Sequence, residues 1–358
     1  MHGNSLKILQ INTEKTWRGG ERQTLLTMKG LLDAHVDAQL LCLADYPLAR
    51  KAAQESTPLI LLPGQKQALG YLIKNGRSFD LLHAQTGKAQ SLATMSKAFH
   101  GRKVVYTRRV DFRPSGLGAK LKYRLTDQVV AISPAIREIL ESFLPGRTIR
   151  IIPSCVDTSR NASSASEKAL NLKKNHPNRK IVATIAAMVP HKDPLTMVRT
   201  VYELKKLAGD AFIFIHFGLG ELEGMVRSEI NRLGLENDYL LMGFDDDVES
   251  FFPIFDVFVM SSQEEGLGSS VLEAFRYRVP VVSTRAGGLE RLVSGRGLLC
   301  PVRDYACLAG KINELLNSFE RFKKMVQKAH DYVLARHSLD KMTRDYIRVY
   351  QQMVNEQS

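Results

Sequence analysis

Short runs of Val, Ile and Leu recur along the chain, separated by longer stretches in which apolar positions return at helical spacing. In the first half the runs are Leu6 to Ile11, Ala38 to Leu43, Leu59 to Leu62, Leu81 to Leu82, Val104 to Tyr106, Val129 to Ile132 and Ile149 to Ile152. In the second half they are Ile181 to Ile185, Phe212 to Phe217, Tyr239 to Met242, Val257 to Met260, Val279 to Val282 and Leu298 to Leu299. Hydrophobicity that is continuous rather than alternating predicts strands covered on both faces, and the helix-length segments between them supply parallel crossovers. The predicted fold class is therefore α/β, a doubly wound Rossmann-like sheet that occurs twice.

Between the halves, Asp157 to Lys180 is polar and rich in Ser and Asn, with Pro177 near its end and a short helix expected around Glu167 to Lys174. The pattern predicts an N-terminal domain over residues 1–160, a linker over 161–179 and a C-terminal domain over 180–338. Amphipathic helices follow the last strand, and the final one, about 339–358, can pack back on the first domain. The triplet Asn161-Ala162-Ser163 matches a glycosylation acceptor, but no signal peptide precedes it and the match reads as chance.

The length of 358 residues suits two cores better than one. No apolar stretch approaches a membrane span, and the first residues lack a long apolar run ending at a cleavage site, which argues against an integral or exported protein. Cys42, Cys155, Cys300 and Cys307 show no metal-ligand spacing and read as reduced core cysteines of a cytosolic protein. Charge changes the picture more. Residues 1–160 hold 24 Lys+Arg against 12 Asp+Glu, whereas 161–358 hold 26 against 25, so the excess faces something anionic from the first half.

The densest chemistry lies in Ser261 to Val282, SSQEEGLGSSVLEAFRYRVPVV. A strand runs into a loop with Gly266 and Gly268, and a helix opens near Ser269 or Ser270. Free N–H groups at such a helix start suit a diphosphate. Glu265 and Glu273 bracket the loop in E-x7-E spacing, with Glu273 expected in the first helical turn. Bland readings exist for both: Ser270-x-x-Glu273 is also a capping box, and Glu265 a solvated loop charge.

The full string EGLGSSVLEA followed by VPVVST closely resembles the signature of the retaining nucleotide-sugar glycosyltransferases of family 4, which have the GT-B fold of two Rossmann-like domains facing each other across a cleft. The resemblance covers nearly the whole chain. Gly19-Gly20-Glu21 resembles the family's glycine-rich loop beneath the donor phosphates, and Pro153-Ser154-Cys155-Val156-Asp157 its P-N-G-V-D segment, with Cys155 in place of glycine. Gly218-Leu219-Gly220, Leu233-Gly234-Leu235 and Met242-Gly243-Phe244 resemble segments that contact or precede the base.

The resemblance implies a nucleotide-diphosphate sugar held by the C-terminal domain and an acceptor on the N-terminal one. Glu273 would then bind the ribose and Glu265 the transferred sugar, while Gly266, Leu267, Gly268 and Ser269 line sugar and phosphate. Carboxylates accept hydroxyl hydrogen bonds, and N–H groups and cations take the charge that develops on the leaving diphosphate. Two departures stand out. Where the family commonly has G-R-L and then K-G, this chain reads Ala186-Ala187-Met188-Val189-Pro190-His191-Lys192-Asp193, so Lys192 remains without the arginine. Where the family often has a histidine near the reacting carbon, this chain has Arg109, whose guanidinium can act only electrostatically. His83 sits at another strand end and reads as structural; Arg108 and Glu21 are further acceptor-side or auxiliary candidates.

The expected activity is glycosyl transfer with retention to a lipid-linked or anionic glycan acceptor, by a peripheral enzyme at the cytoplasmic face of the plasma membrane. No cofactor is expected, and Asp245-Asp246-Asp247 reads as a helix-start charge cluster rather than a metal site. A nucleotide-sugar epimerase is the nearest alternative. A basic nucleic-acid-binding protein is another, without any recognition motif to support it. The segment Lys97 to Arg124, with nine Lys+Arg and a single acid interleaved with Phe99, Phe112, Leu117, Leu121 and Tyr123, is expected to meet anionic lipid. Its candidate contacts are Lys103, Arg113, Lys120, Lys122 and Arg124.

Overall fold

The structure, a computed structural model, describes residues 6–157 and 165–356. The triplet Asn161-Ala162-Ser163 and the first residues of the expected linker, 161–164, lie outside the described residues. The chain divides into two compact units. One ends at Asp157 and resumes at His337, and the other runs up to Arg336.

The first unit is built on a parallel sheet of β1 (Lys7–Ile11), β2 (Asp37–Leu43), β3 (Leu59–Leu62), β4 (Leu81–Ala84), β5 (Lys103–Arg108), β6 (Gln128–Ala131) and β7 (Ile149–Ile151), in the order β3-β2-β1-β4-β5-β6-β7. The second carries β8 (Lys180–Ile185), β9 (Phe212–Phe217), β10 (Tyr239–Gly243), β11 (Val257–Met260), β12 (Val281–Thr284) and β13 (Leu298–Cys300), in the order β10-β9-β8-β11-β12-β13. Every apolar run of the sequence is represented by a strand; the central ones, such as β4 and β9, are buried on both faces, whereas edge strand β3 is only partly covered and exposes Leu61. Strand order reverses between β1 and β4, paired at Ile8 and Leu81, and between β11 and β8, paired at Val257 and Val182. In open parallel sheets the loops leaving the carboxyl ends on either side of such a reversal diverge and leave a crevice.

The first core joins Ile8, Leu40, Leu81, Val105 and Val130 to Leu25, Met28 and Leu31 of helix Gly19–Asp33. Helix Leu339–Asn355 completes it with Leu339, Met342, Tyr346, Val349, Tyr350 and Met353, one apolar stripe of helical period. The two helices touch closely at Gly30, where a Cβ would fall 1.9 Å from Thr343 Oγ1. The second core sets Val182, Phe214, Val257 and Val282 against Met197, Val201 and Leu204 of helix Pro194–Ala208 and Leu308, Ile312 and Leu315 of helix Tyr305–Asn317.

The two points at which the chain leaves and re-enters the first unit lie side by side. Val156 bridges Ser338, the Val156 N–H donates to the His337 carbonyl at 2.9 Å, and Asp157 pairs with Lys29 at 3.0 Å. Cys155 exchanges both backbone groups with the Gln23 side chain, at 2.7 and 3.0 Å. The short helix expected within the polar boundary is Glu167–Asn175, and it belongs to the second unit.

The cysteines require a correction. Cys42 and Cys155 are buried and not in a disulfide, but Cys300 and Cys307 are joined by one, with a Cα separation of 5.8 Å. Cys300 ends β13, and the turn into helix Tyr305–Asn317 folds Cys307 back beside it, a proximity that a spacing of seven residues does not reveal.

Candidate active site

The second unit gathers most of the donor-side candidates at the carboxyl ends of its central strands. The loop after β8 carries Lys192, and the loop after β11 carries Glu265, so the two residues flank the β8/β11 reversal. Lys192 Nζ is ion-paired with Glu265 Oε2, and the side chains are only 18% and 15% exposed. A solvated loop charge therefore does not describe Glu265. Backbone contacts hold the loops together: Gln263 N–H donates to the His191 carbonyl at 2.8 Å, and Ser261 Oγ donates to the Lys192 and Asp193 carbonyls at 3.0 and 2.9 Å.

Helix Ser269–Arg276 begins immediately after Gly268, whose φ of 81° places it in the left-handed region. A Cβ there would also fall 2.5 Å from Leu289 Cδ2, so backbone and packing both demand glycine. Gly266 and Gly268 are buried, Leu267 is half-buried, and Ser269 is exposed at the helix start. The first N–H groups of this helix have no partner inside it and, with the helix dipole, favour an anion.

Two expectations about Glu273 are corrected. Gly268, which has no side chain, is the N-cap, so Ser270 and Glu273 form no capping box; Ser270 Oγ instead approaches Met260 Sδ at 3.7 Å. Glu273 also lies beyond the first turn, which holds no acid. It is 2% exposed and faces Arg276 at 3.8 Å.

Residues that sequence reasoning missed lock this loop. Gly288 N–H donates to the Glu265 carbonyl at 2.7 Å, and a Cβ at Gly288 would fall 2.4 Å from the Gly266 carbonyl oxygen. Gly287, at φ 48°, meets the Glu265 carbonyl in the same way at 2.6 Å. The pair of glycines just past VPVVST was the available signal.

On the other side of the reversal, Gly218, Leu219, Gly243 and Phe244 adjoin at the ends of β9 and β10. Gly218 N–H donates to the Gly243 carbonyl at 2.8 Å, while the apolar Leu219 and Phe244 are exposed. Gly218 and Gly220 are also demanded by packing, since Cβ atoms there would fall 2.0 and 2.2 Å from the carbonyl oxygens of Ala186 and Met188. Beneath them His216 is buried between Tyr239 Oη at 2.7 Å and the Ala186 carbonyl at 3.0 Å, and burial depresses its pKa to about 4.

In the first unit, Gly19 and Gly20 open helix Gly19–Asp33, and the Arg109 side chain lies against Gly20, 3.9 Å from the position of a Cβ. Arg109 Nη1 donates to the Gln85 carbonyl at 3.0 Å. Glu21 is buried and accepts the Arg18 N–H at 2.9 Å, a capping role; desolvation raises its pKa. His83 is wholly buried, between Tyr350 Oη at 2.7 Å and Thr107 Oγ1 at 2.8 Å. Burial, and then the charge of Arg109, push its pKa well down, so it is a neutral structural histidine.

Arg108 is turned inward and 3% exposed. Of the expected lipid contacts, Arg113, Lys120 and Arg124 are exposed, but Lys103 faces Asp127 at 3.8 Å and Lys122 points inward to the Gly87 carbonyl at 3.1 Å. Phe99, Phe112, Leu117 and Leu121 are exposed, whereas Tyr123 is buried. Among the described residues no helix is long and apolar enough to cross a membrane, and no cluster of His, Cys, Asp and Glu has the geometry to hold a metal ion.

Both halves of the chain match known families. Residues 17–160 match the family model Glycosyltransferase Family 4, and residues 167–332 match Glycosyl transferases group 1. The chain is 27% identical over 244 residues to the lipopolysaccharide core biosynthesis glycosyltransferase LpsE of Rhizobium meliloti, covering 66% of this chain and 69% of that one. It is 22% identical to the UDP-Gal:alpha-D-GlcNAc-diphosphoundecaprenol alpha-1,3-galactosyltransferase of Escherichia coli, over 84% of this chain and 85% of the relative. The crystal structure of Anabaena HepE in complex with UDP and glucose superimposes with a TM-score of 0.85 at 19% identity, over 97% of this chain and 99% of that one.

Proposed function

As this chain belongs to the GT-B glycosyltransferases of family 4, we propose that it transfers a sugar, with retention, from a nucleotide diphosphate to a lipid-linked or cell-envelope glycan at the cytoplasmic face of the membrane. The observation that carries the reading is the pairing of Lys192 with Glu265 beside the glycine-rich start of helix Ser269–Arg276. An anion acceptor, a cation and a set of N–H groups are thereby placed within one loop cluster. Glu265 takes hydroxyls of the transferred sugar, Glu273 the ribose, and Lys192 with the helix N–H groups takes the diphosphate. The exposed Leu219 and Phe244, at the ends of β9 and β10, are the apolar side chains available to the base.

In the reaction, the bond from the anomeric carbon to the diphosphate oxygen breaks as the acceptor hydroxyl attacks the same face. The proton of that hydroxyl passes to the departing phosphate oxygen, so no protein nucleophile is consumed. Arg109, in the first unit, acts electrostatically on the acceptor side. Lys192 and the helix start meet the leaving-group charge, and we assign no step to a metal ion. The names of the relatives, which act in lipopolysaccharide core biosynthesis and on a diphosphoundecaprenol-linked sugar, support the acceptor class. The exposed Phe112, Leu117 and Leu121 beside Arg113, Lys120 and Arg124 support docking to anionic lipid.

A thermal-shift panel of UDP, GDP and ADP sugars tests the reading. One nucleotide is expected to raise the melting temperature at about 100 times its dissociation constant, where one-site binding contributes about 2.7 kcal/mol. The absence of a shift with any of them, with Glu265→Gln behaving like wild type, would overturn it.

A further inference from the structure

Arg108, the last residue of β5, is almost wholly buried without a carboxylate partner among the described residues. Its Nη1 donates to Tyr123 Oη at 2.7 Å and its Nη2 to the Phe112 carbonyl, while Nε is buried with no hydrogen-bond partner. The Phe112 ring covers the guanidinium at 5.1 Å. A guanidinium removed from water and met only by neutral oxygens keeps much of its desolvation cost.

A second cation adds to the imbalance. Lys122, on helix Leu117–Leu125, is half-buried, and burial together with the charge of Arg108 lowers its pKa; among the described residues no acid pairs with it. Its Nζ donates to the Gly87 carbonyl at 3.1 Å. Gly87 is the first residue of helix Gly87–Met95, whose N-cap, Thr86, accepts the Ala89 N–H at 3.3 Å. The remaining first-turn N–H groups have no partner within the helix, and the dipole adds a third positive contribution.

Gly87 keeps the approach open: a Cβ there would stand 3.9 Å from Lys122 Nζ and 4.0 Å from Tyr106 Oη. The Tyr106 ring packs edge-on against the ring of Tyr123, the partner of Arg108, with centroids 5.8 Å apart, so Tyr106 stands between the guanidinium's partner and the helix end. The nearby acid Glu14 is engaged by Lys88 at 2.8 Å. Two cations and a helix start thus lie together, and among the described residues no carboxylate pairs with Arg108 or Lys122, an arrangement that repels itself until an anion enters.

We propose that Arg108, Lys122 and the start of helix Gly87–Met95 form a binding pocket for a phosphate group, and that this group belongs to the acceptor. The second clause rests on the glycosyltransferase reading; the pocket does not. A guanidinium, an ammonium and the N–H groups of a helix start are the donor types that a phosphate oxyanion accepts from. A phosphate dianion balances the two side-chain charges.

The test titrates inorganic phosphate into the full-length protein saturated with UDP, at ionic strength held constant with sodium chloride, and follows the thermal midpoint. UDP keeps the donor diphosphate site occupied. The wild-type midpoint is expected to rise and saturate. Lys122→Gln should need at least tenfold more phosphate, Lys122→Arg should restore the response, and the shift caused by UDP alone should be the same in all three. Arg108→Lys is a second probe, and Lys122→Gln carries the result if that variant does not fold.

A wild-type response to phosphate no greater than to chloride, or an unchanged response in Lys122→Gln, would overturn the pocket. Sedimentation with phosphatidylglycerol vesicles separates the sources. Lys122→Gln that still sediments supports the pocket and its assignment to the acceptor, whereas loss of sedimentation supports the pocket but overturns that assignment in favour of a lipid headgroup. A protein that ignores UDP, GDP and ADP alike, yet responds to phosphate with the response weakened in Lys122→Gln, would count against the donor reading and leave the pocket standing.

Discussion

Lys192 and Glu265, 73 positions apart in the chain, form an ion pair at the reversal of strand order in the second unit. Each satisfies the other's charge, so a donor must part them, drawing the lysine to its phosphates and leaving the carboxylate to accept sugar hydroxyls. Glu265→Gln and Lys192→Ala should each lower kcat by about 10²-fold or more, and the double variant should be little worse than the weaker single one, because the pair acts as a unit. Glu273→Gln should chiefly raise the donor KM. Steady-state kinetics of the four variants against wild type checks this, and equal small effects at Glu265 and Glu273 would contradict the assigned contacts.

Arg109 lies against Gly20 at the start of helix Gly19–Asp33. If its charge acts on the reaction, Arg109→Ala should cut turnover by about 10²-fold while the shift caused by nucleotide binding stays intact. Full activity in that variant would make the replacement of the family histidine incidental.

Gly288 has no room for a side chain, since its Cβ would fall 2.4 Å from the Gly266 carbonyl oxygen. Gly288→Ala should displace the loop bearing Glu265 and lower kcat/KM by at least about tenfold, a shift of about 1.4 kcal/mol. Gly224, on helix Glu223–Arg232, has nothing within 4 Å of its Cβ position, so Gly224→Ala should retain activity and gain up to about 1 kcal/mol from helix propensity. Activity assays with denaturant melts separate the two outcomes.

His216 is neutral in the folded state, with its pKa depressed to about 4 from 6.5. The unfolded chain therefore binds a proton that the folded chain refuses, so the contribution is present above pH 6.5 and is lost as pH falls toward 4. His83, pushed down by burial and by Arg109, has the same sign in the first unit. Stability measured from pH 7 to pH 4 should fall, with a loss on the order of 3 kcal/mol traceable to His216. His216→Gln should flatten that part of the profile, and an unchanged slope would show that His216 does not contribute it.

Vesicle docking should depend on Lys120 and Arg124, which are exposed, and not on Lys103, which is engaged by Asp127. Reversing Lys120 and Arg124 to Glu should abolish sedimentation with anionic vesicles at low salt and spare nucleotide binding. Wild-type protein that ignores such vesicles even at low ionic strength would remove membrane docking from the proposal.

The run of apolar residues from Phe212 to Phe217 is a strand in the structure as in the pattern, because burial on both faces is written locally in consecutive side chains. The glycine loop before helix Ser269–Arg276 and the bracketing carboxylates were legible for the same reason: a helix start and its neighbours are contiguous. What the sequence by itself determined is therefore the twofold α/β class, its strands and the identity of the loops that carry chemistry. Only the tertiary structure decided that Lys192 meets Glu265, that Gly288 closes the loop, that Cys300 joins Cys307, that Glu273 is no cap, and that Arg108 and Lys122 turn inward while Lys120 stays in water. Each of these depends on which crossover brings two distant loops to one end of a sheet, or on which face of a short helix is covered. Neither is specified by the spacing of residues along the chain, because such contacts are fixed by packing between elements rather than within them.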